Sequence, residues 1–232
     1  MNMKVRLVDD DVKEGRTRGY SSPLRTEQAA ATRRAILEAA RDLFVADGYS
    51  RTTVAAIADR ATVSVDTVYA SVGRKPAVLR ELVETAISGA DQAVPAEQRD
   101  YVVEIRAART AREKIEIYAH AVTRIQQRLA PIFIALRDAA ADDRSCAALW
   151  TEIAERRARN MRRFAADLRS TSEVRADLTD DQVADIVWSM NAAEYWVLLV
   201  RERNWQPQQF AAWLTDAWTR LLLEGCVPTP IK

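Results

Sequence analysis

The stretch Thr53-Val-Ala-Ala-Ile57-Ala-Asp-Arg-Ala61-Thr-Val-Ser64-Val-Asp-Thr-Val68-Tyr69-Ala-Ser-Val72-Gly73-Arg-Lys75 reads as two short helices joined by a tight turn. Thr52 or Thr53 caps the first, whose apolar face carries Val54, Ile57, Ala58 and Ala61. After the break at Thr62-Val63, Ser64 caps the second, which bears Val65, Val68, Tyr69 and Val72 and stops at Gly73. Upstream, from Ala31, the positions Ile36, Ala40, Leu43 and Phe44 recur at helical spacing up to Gly48. Downstream, Lys75-Pro76 opens a longer helix with Leu79, Leu82, Val83 and Ala86 on its buried stripe.

Two short helices braced by a preceding one are the requirement of a helix-turn-helix, whose second helix projects its first residues into a DNA major groove. Ser64, Val65, Asp66 and Thr67 lie at the exposed start of that helix, while Val68 and Val72 hold it against Ile57 and Leu43. Serine and threonine bond base edges or phosphate, and Val65 or the Thr67 methyl suits a thymine methyl. Asp66 repels phosphate unless it reads a cytosine amino group or caps the helix. From Arg16 to Arg80 there are eleven basic side chains against six acidic ones, so a basic module sits on a body that restores a whole-chain charge of +1.

The rest of the chain fits an all-α protein. Six Gly and seven Pro in 232 residues are too few for a many-turned β-fold, and no run approaches the roughly 20 apolar residues of a membrane span. Cys146 and Cys226 form no paired motif and no signal peptide is legible, which points to the cytoplasm. A single histidine, His120, excludes the common histidine metal motifs, and the scattered glycines form no phosphate-cradling loop. No metal, cofactor or enzymatic activity is therefore expected. Beyond a stretch at 97–108, Thr110 and Glu113 form a capping box for a helix that Pro131 ends or kinks. Further helices are expected over 132–141, 145–169, 179–203 and 207–225.

Residues 32–79 resemble the TetR family of transcriptional regulators. The likeness runs through Thr32-Arg-Arg-Ala-Ile-Leu37, Phe44, Gly48-Tyr49, Thr53-Val-Ala-Ala-Ile57-Ala, Ser64, Val68-Tyr69 and Gly73-Arg-Lys75-Pro-Ala-Val-Leu79. One departure is Val72, where the family commonly has an aromatic residue. A second similarity covers Asp181–Trp188 and Tyr195–Leu214. Residues 1–25, without a sustained apolar period, read as an arm. The two similarities together imply a DNA-binding domain over 26–75 and an effector-binding, dimerising domain over 76–226. The one over 32–79 implies phosphate contacts from Tyr69 and Lys75, which complete a DNA-facing set of Thr53, Ser64, Val65, Asp66, Thr67, Tyr69, Arg74 and Lys75. Arg16, Arg18 and Arg25 either reach an adjacent minor groove or merely keep the arm soluble.

The pattern of the 179–203 helix supports dimerisation independently. Val183, Ile186, Met190 and Val197 share one direction and Trp188, Ala192, Tyr195 and Leu199 nearly the opposite one, so one face is left for a partner copy. The interface expected from this comprises Trp188, Tyr195, Leu199, Trp213, Leu214, Trp218 and Leu221. By resemblance, Tyr118, Phe133, Trp150, Ile153, Met190 and Asn191 surround a small-molecule effector. Arg157 and Glu194 intrude on apolar stripes and form an internal salt bridge, lie at an exposed edge, or meet a polar group of that effector. His120 faces solvent, and the arginines from 156 to 163 form a solvated face.

The expectation is a homodimeric, ligand-responsive repressor of a pseudo-palindromic DNA operator, with no membrane association. The alternative is a helical small-molecule-binding or adaptor protein that does not read DNA, for which Asp66 and Val72 are the only support.

Overall fold

A computed structural model describes residues 23–225 and shows ten α-helices, with no strand among the described residues. Helix α1 spans Pro23–Asp47, α2 Val54–Arg60, α3 Val65–Ser71 and α4 Lys75–Ser88. The body follows as α5 Asp100–Ala107, α6 Ala111–Ala140, α7 Arg144–Arg169, α8 Asp180–Met190, α9 Ala193–Trp196 and α10 Pro207–Leu222. The caps read from sequence form as hydrogen bonds: Thr53 accepts from the Ala56 N–H, Ser64 from Thr67, and Thr110 and Thr179 make reciprocal boxes with Glu113 and Gln182.

Three boundaries differ from expectation. Helix α1 begins at Pro23, eight residues before its apolar repeat, so Arg25 belongs to a helix rather than to an arm; Arg16, Arg18 and Cys226 lie outside the described residues. Helix α6 runs through Pro131 without ending, and no separate 132–141 helix exists. The carbonyl that loses its partner to this proline belongs to Gln127, an exposed residue. The expected 179–203 helix is broken at Asn191, where α8 and the helix after it meet at 41°. Two carbonyls at this break are taken by side chains: Gln126 Nε2 donates to Asn191 O at 2.6 Å and Arg157 Nη2 to Trp188 O at 2.7 Å. Beyond Trp196 the chain continues as a wide π-helical turn over Val197–Glu202.

Helix α6 is the axis of the body, packed by α4, α5, α7 and α10. The core is continuous from Ile36, Phe44, Ile57 and Val68 in the small N-terminal domain to Ile115, Leu136, Ile153 and Leu168 in the body. Leu214 and Trp218 lie in it at 0% exposure, with the Trp218 ring stacked on Tyr118 at 5.5 Å. This corrects their placement at a dimer interface, because the inward face of α10 already spends them on its own subunit. Tyr195, Leu199, Trp188 and Trp213 stay partly buried, and Leu198 and Leu221 are exposed.

Truncating Trp218→Ala is expected to lower the unfolding free energy by about 3–5 kcal/mol in urea titrations. A loss below about 1 kcal/mol would contradict its place in the core.

Candidate functional site

The first half of the site is the outer face of α3. Val68 is fully buried against α1 and α2, which turns Ser64, Val65, Asp66 and Tyr69 outward. The Ser64 hydroxyl caps the helix, leaving Asp66 as an uncapped acid in its first turn, where the helix dipole favours it. Thr67 is half-buried and its hydroxyl lies 2.8 Å from that of Ser64, so the two form one polar pair. Thr62, in the turn, has a φ of 58°, a strained value for a β-branched residue that fixes how α3 leaves α2. Arg33 on α1 holds the other end of α3, donating to Ser71 O at 2.6 Å while pairing with Glu81 of α4. Thr53 and Arg74 are exposed at the starts of α2 and α4.

Lys75 is differently occupied. Its ammonium donates to the carbonyls of Tyr49 and Thr52 at 2.9 and 3.0 Å and lies 4.0 Å from the centroid of the Tyr49 ring. It therefore ties the start of α4 to the loop after α1, with one N–H left for any outside acceptor. Tyr49 carries the tie onward: its ring lies beside the buried Cys146 near the start of α7, and burial, followed by the neighbouring thiol, raises the Tyr49 pKa far above its ordinary value.

The second half is a half-open cavity in the body. An inner chamber of about 90 Å³ brings together Tyr118, Phe133, Ile153, Arg157 and Asn191 from α6, α7 and the α8 break. An outer chamber of about 390 Å³ lies between α5 and α7, and the two share Tyr101, Tyr118, Asn160 and Met161. Asn191 organises the inner chamber. Its Oδ1 accepts from Arg157 at 2.9 Å, and its Nδ2 faces the Tyr118 hydroxyl at 2.9 Å and Met161 Sδ at 3.2 Å. Burial holds the Tyr118 hydroxyl neutral, its pKa well above the ordinary value.

Three expected lining residues sit elsewhere. Trp150 stacks on Phe133 at 4.5 Å from behind, Met190 packs against the core, and Glu194 pairs with Arg137 at 3.1 Å. Of the alternatives read from sequence, Glu194 takes the ion pair at an exposed edge, whereas Arg157 makes no ion pair among the described residues. Its positive end instead meets the C-terminal carbonyl of Trp188 and lies 4.7 Å from the centroid of that ring. Desolvation lowers the Arg157 pKa, with Tyr118 and then Glu194 opposing the shift, yet a guanidinium remains charged at any ordinary pH.

Sequence reasoning missed Gln126, Arg99, Tyr101, Asn160 and Met161. For Gln126 the signal was present, a polar residue on the apolar line Val122, Leu129 and Phe133. Among the described residues no group of three or more His, Cys, Asp and Glu side chains is disposed to hold a metal ion, and no single helix is long and apolar enough to cross a membrane.

Replacing Lys75 with Met is expected to destabilise the fold by about 1–3 kcal/mol, because two buried-side carbonyls lose a charged donor. Urea denaturation checks this, and a change below about 0.5 kcal/mol would mean that the ammonium is free to point outward.

Residues 36–82 match the model of bacterial regulatory proteins of the tetR family. Comparison with curated proteins gives no match by sequence. Among solved structures, NalD, the secondary repressor of the MexAB-OprM multidrug efflux pump in Pseudomonas aeruginosa, superposes with a TM-score of 0.68 at 19% identity, covering 85% of this chain and all of NalD. The fatty acid degradation regulator FadR from Bacillus halodurans gives 0.64 at 18% identity, over 84% of this chain and 95% of that one. SmeT in its triclosan complex gives 0.60 at 19% identity, over 87% and 99%. Residues 36–82 are therefore similar to the bacterial regulatory proteins of the tetR family, and the chain as a whole has the fold of NalD, FadR and SmeT.

Proposed function

We propose that the protein is a homodimeric transcriptional repressor that binds a pseudo-palindromic operator through α3 and releases it when a small molecule enters the cavity. The observation that carries this reading is the joining of the two half-sites by one helix. Helix α7 lines both chambers through Ile153, Arg157, Asn160 and Met161, and it grips α4, the helix leaving the DNA-binding domain. Glu152 takes both Arg80 Nη atoms at 2.6 and 2.7 Å, and Arg156 meets Glu84 at 2.7 Å. Ligand that displaces α7 shifts α4 and with it the spacing of the two α3 helices. Its effect equals its differential affinity for the two arrangements.

In this reading Ser64, Val65, Asp66 and Thr67 face base edges, while Thr53, Tyr69 and Arg74 face phosphate and Lys75 offers only its remaining N–H. The domains run from α1 to the start of α4 and from α4 to the end of α10. Partner copies meet through Trp188, Tyr195, Leu199, Trp213 and Leu221, joined by Leu198, whose side chains are exposed or half-buried on the outer side of α8–α10. A soluble DNA-binding protein of this kind acts in the cytoplasm. The sign of control, repression, follows the likeness to NalD, which is a repressor.

Selection of bound duplexes from a fragmented source-genome library is expected to enrich an inverted repeat bound by the dimer with a steep salt dependence. Absence of enrichment would favour the adaptor reading instead. Tyr69→Phe is expected to weaken all duplexes alike, by up to about tenfold for one lost hydrogen bond. Asp66→Ala is expected to raise affinity for random DNA by removing a negative charge from the DNA-facing start of α3. A sequence-selective loss from Tyr69→Phe, or weaker random binding from Asp66→Ala, would overturn these roles.

A further inference from the structure

The inner chamber carries more positive charge than the fold neutralises. Arg99, Arg156 and Arg157 all line it, and no aspartate or glutamate does. Arg156 is paired with Glu84, and Arg99 donates its Nε to Val94 O at 3.1 Å. Arg157 spends Nη2 on Trp188 O and Asn191 Oδ1, while its buried Nε has no hydrogen-bond partner among the described residues. Facing the same chamber, Gln126 is 5% exposed and its Oε1 also lacks a partner. Its orientation is fixed, because its Nε2 donates to a carbonyl, Asn191 O, which only accepts. One unpaired charged donor and one unpaired acceptor thus share a recess whose other lining is apolar at Val122, Leu129, Phe133 and Ile153 and polar at Tyr101, Tyr118, Asn160 and Asn191.

Leaving a guanidinium withdrawn from water without a counter-charge is costly, and the cost is recovered when an anion arrives. The approach is graded the same way. Arg99 and Arg156 also line a surface hollow beside the chamber with Arg159 and Arg163, against Glu84 and Glu97. The outer chamber sets Arg106 and Arg163 against Glu97 and Asp167, the last of which is paired with Lys114, and its apolar wall is Tyr101, Val102, Ile105 and Phe164. Lining arginines steer and hold negative charge, while these rings and aliphatic groups take an apolar body.

We propose that the controlling ligand is an amphipathic organic anion, whose carboxylate or comparably acidic group pairs with Arg157 in the inner chamber while its apolar body occupies the outer one. A hydroxyl or N–H beside the acid satisfies Gln126 Oε1. This assignment rests on the cavity being the regulatory site proposed above. Arg156, Arg159 and Arg163, expected from sequence on a solvated face, are then with Arg99 an entry path to Arg157.

The test compares 2-naphthylacetate and decanoate with their primary amides, by calorimetric titration at neutral pH. At least one acid is expected to bind about tenfold or more tighter than its amide, the range for a charged hydrogen bond in a dry site. Arg157→Gln, which keeps donors for Trp188 O and Asn191 Oδ1, is expected to abolish that preference with little change for the amide. Arg157→Lys is expected to keep most of it. Equal affinity of acid and amide, no binding of either acid at millimolar concentration, or an intact preference in a folded Arg157→Gln protein would each overturn the proposal. Operator affinity measured on the same samples separates the two readings. Acid binding that depends on Arg157 but leaves operator affinity unchanged upholds the anion site and overturns its regulatory role. Operator binding with no acid preference overturns the anion site alone.

Discussion

The structure depends on the multiple engagement of α7. Successive residues of a helix point about 100° apart, so neighbours serve different partners. Arg156 reaches out to Glu84 of α4, whereas Arg157 turns inward to the end of α8. One turn earlier Glu152 clamps Arg80, and at the helix start Cys146 lies beside Tyr49 beneath the N-terminal helices. Toward its far end Asp167 pairs with the buried Lys114, which also caps α5 by donating to Ile105 O at 2.7 Å, and Arg169 donates to the carbonyls of Val174, Arg175 and Leu178. A rigid rod held at both ends and hollowed beside its middle is a natural transmitter. In the proposed mechanism, what presses on Arg157 is passed to Arg156 and Glu152, its near neighbours along the helix.

The strength of these ties is graded. The Arg80–Glu152 and Arg156–Glu84 pairs are partly exposed, and pairs of that kind contribute little to net stability. They are better suited to positioning α4 than to holding the fold together, which the continuous core does. The Asn191 node differs, since Gln126, Tyr118 and Asn191 are all buried and a half-satisfied polar network in low dielectric costs free energy. Stability is concentrated in the packing of α6, and the cavity sits where that packing gives way to polar groups without a full set of partners.

Much of this was legible in the chain. Thr53, Ser64, Thr110 and Thr179 announce their helices through local chemistry that needs no tertiary information, and Val68 and Ile57 follow from periodicity. The misreadings share one cause, the override of local signals by distant contacts. Pro131 is carried through because α6 is held along its length by α1, α4, α5, α7, α9 and α10. The break at Asn191 depends on Gln126 and Arg157, which lie 65 and 34 residues away in sequence. Trp218 and Leu214 look like interface residues on a helical wheel, but which face of α10 turns inward is decided by α6. Lys75 has a partner surface nearer than any phosphate, the carbonyls at the end of the first loop.

The most direct measurement of the central claim, that α7 couples cavity to α3, is operator affinity with and without a saturating cavity ligand. It would be made on the parent chain and on Glu84→Gln/Glu152→Gln. The account predicts equal ligand affinity in both, with a ligand-induced loss of operator affinity in the parent within the usual coupling range of about 5- to 150-fold and a loss falling toward none in the variant. An equal loss in both would contradict it, and would mean that the coupling reaches α4 through α6 instead.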